Sequence, residues 1–383
     1  MIYLDFNATT PMDSRVRDQF LRSLDLAYAN PASAQRAAGR AAQTVVEDAR
    51  VQAADALGVA PKEVIWTSGA SESILLAVMG LVASQIPSRR TVLVSPTEHK
   101  AVLAAADLAG RVLGARVIYL HVDSAGVVEC GSLESELDES VCLAAAMHSN
   151  NETGVLNPID EIASLCRANN VPVLVDATQS LGKVDLGPAC RGADLMALSA
   201  HKAYGPKGVG VLLARGPVKR QLVSFQPGGG QEFGMRGGTH NSPGISASAL
   251  AIELAMSEQV GWERHSRALV ERLHANLRSK LTEIDVVTGL KPRLGNTINI
   301  RFHGADAEAV MANAPNVAVA TGSACNAANP EPSHVLLAMG LTRAQAEESI
   351  RFSVGKETSE SEIDEATDAI VHAVTRVRRL TAA

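Results

Sequence analysis

The sequence sets titratable side chains just beyond a succession of short apolar runs. His99 lies in Thr97-Glu98-His99-Lys100, and Asn151 lies in His148-Ser149-Asn150-Asn151-Glu152. Asp176 opens Asp176-Ala177-Thr178-Gln179, and Lys202 closes Ser199-Ala200-His201-Lys202. One histidine in such a place is usually structural, but His, Asn, Asp and Lys at successive run ends are hard to attribute to chance. An ammonium at the end of an apolar strand is costly to bury, so its pKa falls and the amine becomes able to form a Schiff base. A carboxylate on a neighbouring strand end matches the other need of pyridoxal phosphate, which is to keep its pyridine nitrogen protonated as an electron sink. Asp176 and Lys202 can supply both groups, and a buried salt bridge between them is the alternative that spacing leaves open.

The elements that must position these groups are legible as alternating strand and helix patterns between about residues 60 and 215. The apolar runs are 63–67, 91–94, 116–120, 142–147, 171–175, 195–198 and 209–213. They predict an α/β protein with a seven-stranded, mainly parallel sheet covered by helices. The loop before the last run is too short for a crossover helix, which predicts an antiparallel strand there. Ligands of such sheets bind beyond the carboxyl ends of the strands, where the polar residues fall. Gly69-Ala70-Ser71 sits between a run and a helical pattern, where free N–H groups and the helix dipole suit a phosphate as well as a plain N-cap.

A helical pattern spans roughly 242–257 after the glycine-rich stretches 228–230 and 237–238. A smaller α+β part follows, with strands expected near 296–300, 317–319 and 349–353. The expected organisation is a large part, residues 12–257, and a small one, residues 1–11 with 258–383. Ser359 and Glu362 form a capping box ahead of a final helix whose apolar face is Ile363, Ile370, Val374 and Val377, with Arg376, Arg378 and Arg379 toward its negative end.

Composition narrows the partners. With 383 residues, 46% hydrophobic and 20% charged, the chain has enough apolar material for a large core and is neither disordered nor a disulfide scaffold. A net charge of -6 argues against direct nucleic-acid or anionic-membrane binding, and 3% aromatic content argues against base-stacking platforms. Cys130, Cys142, Cys166, Cys190 and Cys325 contain no CxxC pair, so neither a metal site nor a dithiol switch is expected, and a reducing cytoplasm fits. The longest apolar run, 74–83, is too short to cross a bilayer, and 1–5 does not read as a secretory signal.

Taken together, the segments 3–11, Asn30-Pro31, 67–72, 97–99, 150–152, 176–179, 199–202, 229–239 and Gly322-Ser323-Ala324-Cys325 resemble the cysteine desulfurases. The resemblance runs from residue 3 to about residue 356. Thr321 to Cys325 and Ser349-Ile350-Arg351-Phe352-Ser353 are similar to the group-one branch, the iron–sulfur-cluster and nitrogenase-cluster type. It implies an aspartate-aminotransferase-like fold, a homodimer, and pyridoxal 5'-phosphate as cofactor. It also implies that Lys202 forms the internal aldimine and moves protons, Asp176 pairs with the pyridine nitrogen, Gln179 bonds the phenolic oxygen and His99 stacks on the ring. The phosphate would lie against Ala70, Ser71, Ser199 and His201, with Thr239 reaching in from the other subunit. Asn151 and Arg351 would hold the substrate carboxylate.

Cys325 stands among Gly, Ser, Ala and Asn residues followed by Pro330-Glu331-Pro332, a composition expected of a loop that can travel. The other cysteines lie in apolar or helical contexts. The resemblance therefore implies that Cys325 takes sulfur from L-cysteine as a persulfide, releases L-alanine and delivers the sulfur to an acceptor or scaffold protein. Iron–sulfur cluster assembly, thiamine or molybdenum cofactor synthesis, tRNA thiolation and DNA phosphorothioation are all destinations served by such enzymes. A selenocysteine lyase or aminotransferase would use the same Lys202 and Asp176, and a non-catalytic scaffold would retain only the fold. Gln35, Ile74-Leu75, Phe233 and Lys356 depart from the family pattern without touching the Lys, Asp, His or Cys roles.

Overall fold

The computed structural model describes residues 1–289, 291–321 and 331–381, without the side chains of residues 190 and 191. Its main sheet contains β2 (Val64–Thr67), β3 (Thr91–Val94), β4 (Arg116–Tyr119), β5 (Val141–Ala145), β6 (Val173–Asp176), β7 (Leu195–Ser199) and β8 (Gly210–Ala214). The spatial order is β2-β8-β7-β6-β5-β3-β4, and β8 runs against both of its neighbours while the other pairings are parallel. All of these strands except the edge strand β4 are buried, because successive side chains point to opposite sides and helices cover both. In β7, Met196 and Leu198 enter the core under helices 37–57, 159–168 and 242–280, whereas Leu195 and Ala197 face helices 70–85 and 100–113.

β6 starts at Val173 rather than at Val171, where the apolar pattern begins. Pro172 accepts a backbone bond from Ala144 but has no N–H to donate. The expected strands 142–147 and 116–120 correspond to β5 and β4, each shifted or shortened at an end.

A second sheet has the order β12-β10-β9, formed by β9 (Ile284–Val286), β10 (Thr297–Phe302) and β12 (Ser349–Ser353), all antiparallel. A two-stranded pair joins β1 (Ile2–Tyr3) to β11 (Val317–Ala318). The smaller core packs β10 and β12 against the later part of helix 242–280 and against helix 360–381, through Leu273, Phe302, Phe352, Ile370 and Val374. The pattern expected to end near residue 257 continues as one helix of 39 residues, Ser242–Lys280, because Gly261 lies on its exposed side and interrupts no packing. Helix Glu360–Thr381 buries the predicted face, and Ser359 and Glu362 exchange the reciprocal capping bonds. Near its far end Arg378 donates to the carbonyls of Thr282, Glu283 and His303. Among the described residues no helix is long and apolar enough to cross a membrane.

Candidate active site

A cavity of about 620 Å³ opens beyond the carboxyl ends of the main sheet and collects side chains from distant parts of the chain. Ala70 and Ser71 come from the N-terminus of helix 70–85, His99 from the end of β3, Asn151 from beyond β5, and Asp176 and Gln179 from the end of β6. Ser199, His201 and Lys202 follow β7, and Arg351 comes from β12 of the other sheet. Close backbone approach shapes one wall. A Cβ on Gly210 would lie 2.5 Å from the carbonyl carbon of Gly69, so a larger residue in β8 would push the Gly69-Ala70-Ser71 turn away.

Among the described residues Lys202 Nζ has no carboxylate against it, and it donates to the backbone carbonyls of Asn7 and Ala8, each at 2.7 Å. Burial, reinforced by Arg351 and opposed by Asp176 and Asp5, brings its pKa down to about 8. The alternative reading of Asp176 and Lys202 as a salt bridge is not met among the described residues; Asp176 Oδ1 accepts only the Thr178 N–H there, at 2.9 Å. His99 caps helix 100–113 by accepting the Ala101 N–H on Nδ1 at 3.1 Å, so a neutral ring carries its proton on Nε2. The ring is open to the cavity yet surrounded by protein, and desolvation lowers its pKa, with Asp176 acting in the opposite direction. His201 Nδ1 lies 3.1 Å from Thr9 Oγ1, and burial first, then Lys202, takes its pKa down to about 4.

Arg351 is buried, not a surface residue. It pairs with Asp5 and donates through Nη1 to the Asn151 carbonyl at 3.0 Å. Its Nε, together with Asn151 Oδ1 and Thr178 Oγ1, is buried without a hydrogen-bond partner among the described residues. Three unpartnered polar atoms around one cavity are a costly arrangement unless a polar ligand completes them. Thr239 does not line this cavity. It is exposed and borders a neighbouring recess of about 60 Å³, which shares Ser68 and Gly208 with the cavity. Cys325 lies outside the described residues.

Sequence reasoning gave no role to Asn7, whose carbonyl accepts from both Lys202 and Gln179. Its side chain donates to the Asn151 carbonyl and to Thr297 Oγ1, tying the first residues to both sheets. The only signal was its place in the quoted segment 3–11. Glu98, which the sequence reading gave no role, is fully buried, and desolvation followed by the Asp176 charge raises its pKa well above the ordinary carboxylate value.

A second buried polar cluster lies behind β2. Arg50 meets Glu232 through two bonds of 2.8 and 2.9 Å, His240 Nε2 approaches Glu232 Oε1 at 2.6 Å, and the Trp66 N–H donates to Glu232 Oε2 at 2.7 Å. Arg50 and His240 outweigh desolvation, the largest contribution, and take the Glu232 pKa down to about 2. The cluster holds Glu232 and Phe233 at φ 47° and 59°, left-handed values that non-glycine residues adopt at a cost. Phe233 is sandwiched by cations, with Lys219 Nζ 3.6 Å and Arg50 5.1 Å from its ring centre. Of the remaining departures, Ile74 is buried against the cavity, Gln35 is exposed, and Lys356 pairs with Glu258 at 2.7 Å over the Tyr204 ring.

The fold and this cavity define a cofactor-dependent transferase of the aspartate-aminotransferase type, and the class-V aminotransferase model matches residues 2–366. A curated "Cysteine desulfurase" of Frankia sp. (strain EuIK1) is 42% identical, covering 99% of this chain and 93% of its own. Among solved structures, a "NifS-like protein" superposes with a TM-score of 0.90 at 33% identity, over 98% of this chain and 99% of that one. "SspA in complex with cysteine" superposes at 0.80 and 32% identity, over 92% and 99%. The chain belongs to the cysteine desulfurases of the class-V aminotransferase family, whose members depend on pyridoxal phosphate.

Proposed function

We propose that the protein converts L-cysteine to L-alanine and carries the sulfur as a persulfide on Cys325 to an acceptor protein. The observation that carries this reading is the junction of Lys202, Asp176, His99 and Arg351 around one cavity with unsatisfied polar walls. The residues fit pyridoxal phosphate: the turn at Ala70 and Ser71 with Ser199 and His201 for the phosphate, Asp176 for the pyridine nitrogen, Gln179 for the phenolic oxygen, and Lys202 for the aldehyde. When bound there, the cofactor stores the electron pair of bonds broken at the substrate.

The chain's own residues do the rest. Asn7 and Ala8 hold the Lys202 amine by their carbonyls alone, so no carboxylate fixes its proton and it can exchange one with the substrate Cα. Arg351 Nε and Asn151 hold the substrate carboxylate, while Asp5 keeps the guanidinium in place. The Cys325 thiolate attacks the sulfur of bound cysteine; an S–S bond forms, the C–S bond breaks, and the carbon takes a proton to become alanine. Cys325 is four residues beyond Thr321, a reach of at most about 14 Å, and Ala320 lines the cavity. The thiols of Cys130, Cys142 and Cys166 are raised by burial to about 11, 12 and 12, so they remain protonated and suit packing.

Residues 12–257 hold the cofactor in this reading, and residues 1–11 with 258–383 bring Arg351 and Cys325 to it. A homodimer is supported by Thr239, which faces outward beside the phosphate end and is placed to serve a second copy's site. Free Cys130, Cys142 and Cys166 support a reducing cytoplasm.

The test is labelled L-cysteine given to the purified holoprotein. Alanine should appear with label bound at residue 325, and C325S should retain the visible band but lose the labelled persulfide. Undiminished sulfur transfer to an acceptor by C325S would overturn the mechanism.

A further inference from the structure

Lys183 is the most unusual charged residue in the molecule. It is fully buried, 2% exposed, and no carboxylate pairs with its Nζ among the described residues. Its partners are two amide oxygens, Gln179 Oε1 at 2.6 Å and Asn7 Oδ1 at 3.3 Å. Burial, with Lys202 and Arg351 nearby, takes its pKa well below that of an ordinary lysine. An amine placed at this desolvation cost with only neutral partners calls for an explanation.

The hydrogen-bond pattern supplies one. Asn7 Nδ2 donates to the Asn151 carbonyl and Thr297 Oγ1, so Asn7 Oδ1 is the end that faces Lys183 and the Asn296 amide. Gln179 Nε2 donates at 2.8 Å to the Asn7 carbonyl, which can only accept, and Lys183 donates to the opposite end of the same carboxamide. Both ends of the Gln179 amide are thereby fixed. One N–H of Nε2 is used by Asn7, and among the described residues the other has no protein acceptor, while the side chain lines the cavity.

We propose that Lys183 is a positioning residue for the cofactor's ring oxygen: its Nζ holds the Gln179 carboxamide oxygen out of the cavity, so the amide presents a donor and not an acceptor. This rests on the reading that the cavity binds pyridoxal phosphate with Gln179 at the phenolic oxygen. A donor there stabilises the oxygen as an anion and weakens its competing hold on the neighbouring nitrogen proton, which is then lost at lower pH. Removing Lys183 leaves the Asn7 carbonyl alone to orient the amide, which loosens it and moves that proton loss to higher pH.

The experiment is a pH titration of the visible absorption of holoprotein, with fluorescence reconstitution of the cofactor-free form. K183M should raise the titration midpoint by about one pH unit and weaken cofactor binding about five-fold, the size of one net hydrogen bond. K183Q, which retains an N–H for the Gln179 oxygen, should shift the midpoint less than half as far; an equal shift would overturn the donor role. A K183M midpoint within about 0.2 unit of wild type, in folded and fully loaded protein, would overturn it too. If K183M does not fold, Q179E decides, because it leaves Lys183 partnered while replacing the donor with an acceptor. Its midpoint should rise by more than about one unit, and an unchanged midpoint would sink the inference. A wild-type protein with no visible band, or a K202A protein that retains it, would instead refute the underlying reading.

Discussion

Two buried polar clusters lie on either side of the same sheet end, and they solve the cost of desolvation in opposite ways. Behind β2, the Glu232 carboxylate is closed on all sides by Arg50, His240 and the Trp66 N–H. In the cavity, among the described residues, the Lys202 amine is held by carbonyls and Asp176 by one backbone N–H, while Asn151, Thr178 and Arg351 each have an unpartnered atom; behind its wall Lys183 is held by two amides. The closed cluster is a structural anchor, because every charge meets its opposite at short range. The open one retains reactivity because Lys202 and Asp176 are not neutralised by each other, Arg351 and Asp5 being its one close ion pair among the described residues. Perturbed groups with unmet partners mark the site where binding and chemistry fall.

The contrast can be broken by exchange of effects. K202A should lower turnover by about 10³-fold or more, by removing the nucleophile and proton carrier, with little loss of thermal stability; a large fall in Tm would mean the amine is structural. R50M should do the reverse. It strands the Glu232 carboxylate and should cost about 3–5 kcal/mol in denaturant titrations, while activity per folded molecule remains within a few-fold.

Glu152 sharpens the comparison at a point between the two. It is buried, accepts a bond from the Ser333 hydroxyl, and burial lifts its pKa to about 7, with Ser333 and Arg351 opposing. The folded form therefore retains a proton that the unfolded chain has lost, so stability should fall as pH rises from about 4.5 to about 7. E152Q should remove that decline, gaining about 3 kcal/mol over wild type at pH 8 but not at pH 4. Parallel curves for the two proteins would show that the group is not protonated when buried. The Glu232 carboxylate has the opposite sign: its lowered pKa contributes stability above about pH 4.5, lost as pH falls toward 2. The smallest effect belongs to a control outside both clusters. Gly261 lies exposed in helix 242–280 with open space where a Cβ would stand, so G261A should raise stability by about 0.5–1 kcal/mol.

The open cluster was legible in the sequence, and the closed one was not. Asp176 and Lys202 sit where an apolar run stops, so the strand pattern itself points to them. Arg50 and Glu232 are 182 residues apart, one in a helix and one in a glycine-rich turn, and neither follows a periodic signal. Asn7 and Lys183 escaped for a related reason: their roles exist only once the chain's beginning is laid against β6, β10 and β12. β9 went unread because its residues are half-exposed and too few to alternate. Helix 242–280 was read only to about residue 257, and the exposed Gly261 beyond it interrupts nothing.

The arrangement of Asp5 and Asn7 sets a timetable for biosynthesis. Asp5 pairs with Arg351, and Asn7 with Ser353, each made 346 residues after its partner. At ordinary elongation rates that is a wait of roughly 20–70 seconds. The main sheet can therefore emerge whole before Arg351 and Ser353 exist to hold Asp5 and Asn7, and the segment that tethers the Lys202 amine is locked in place only after β12 is made.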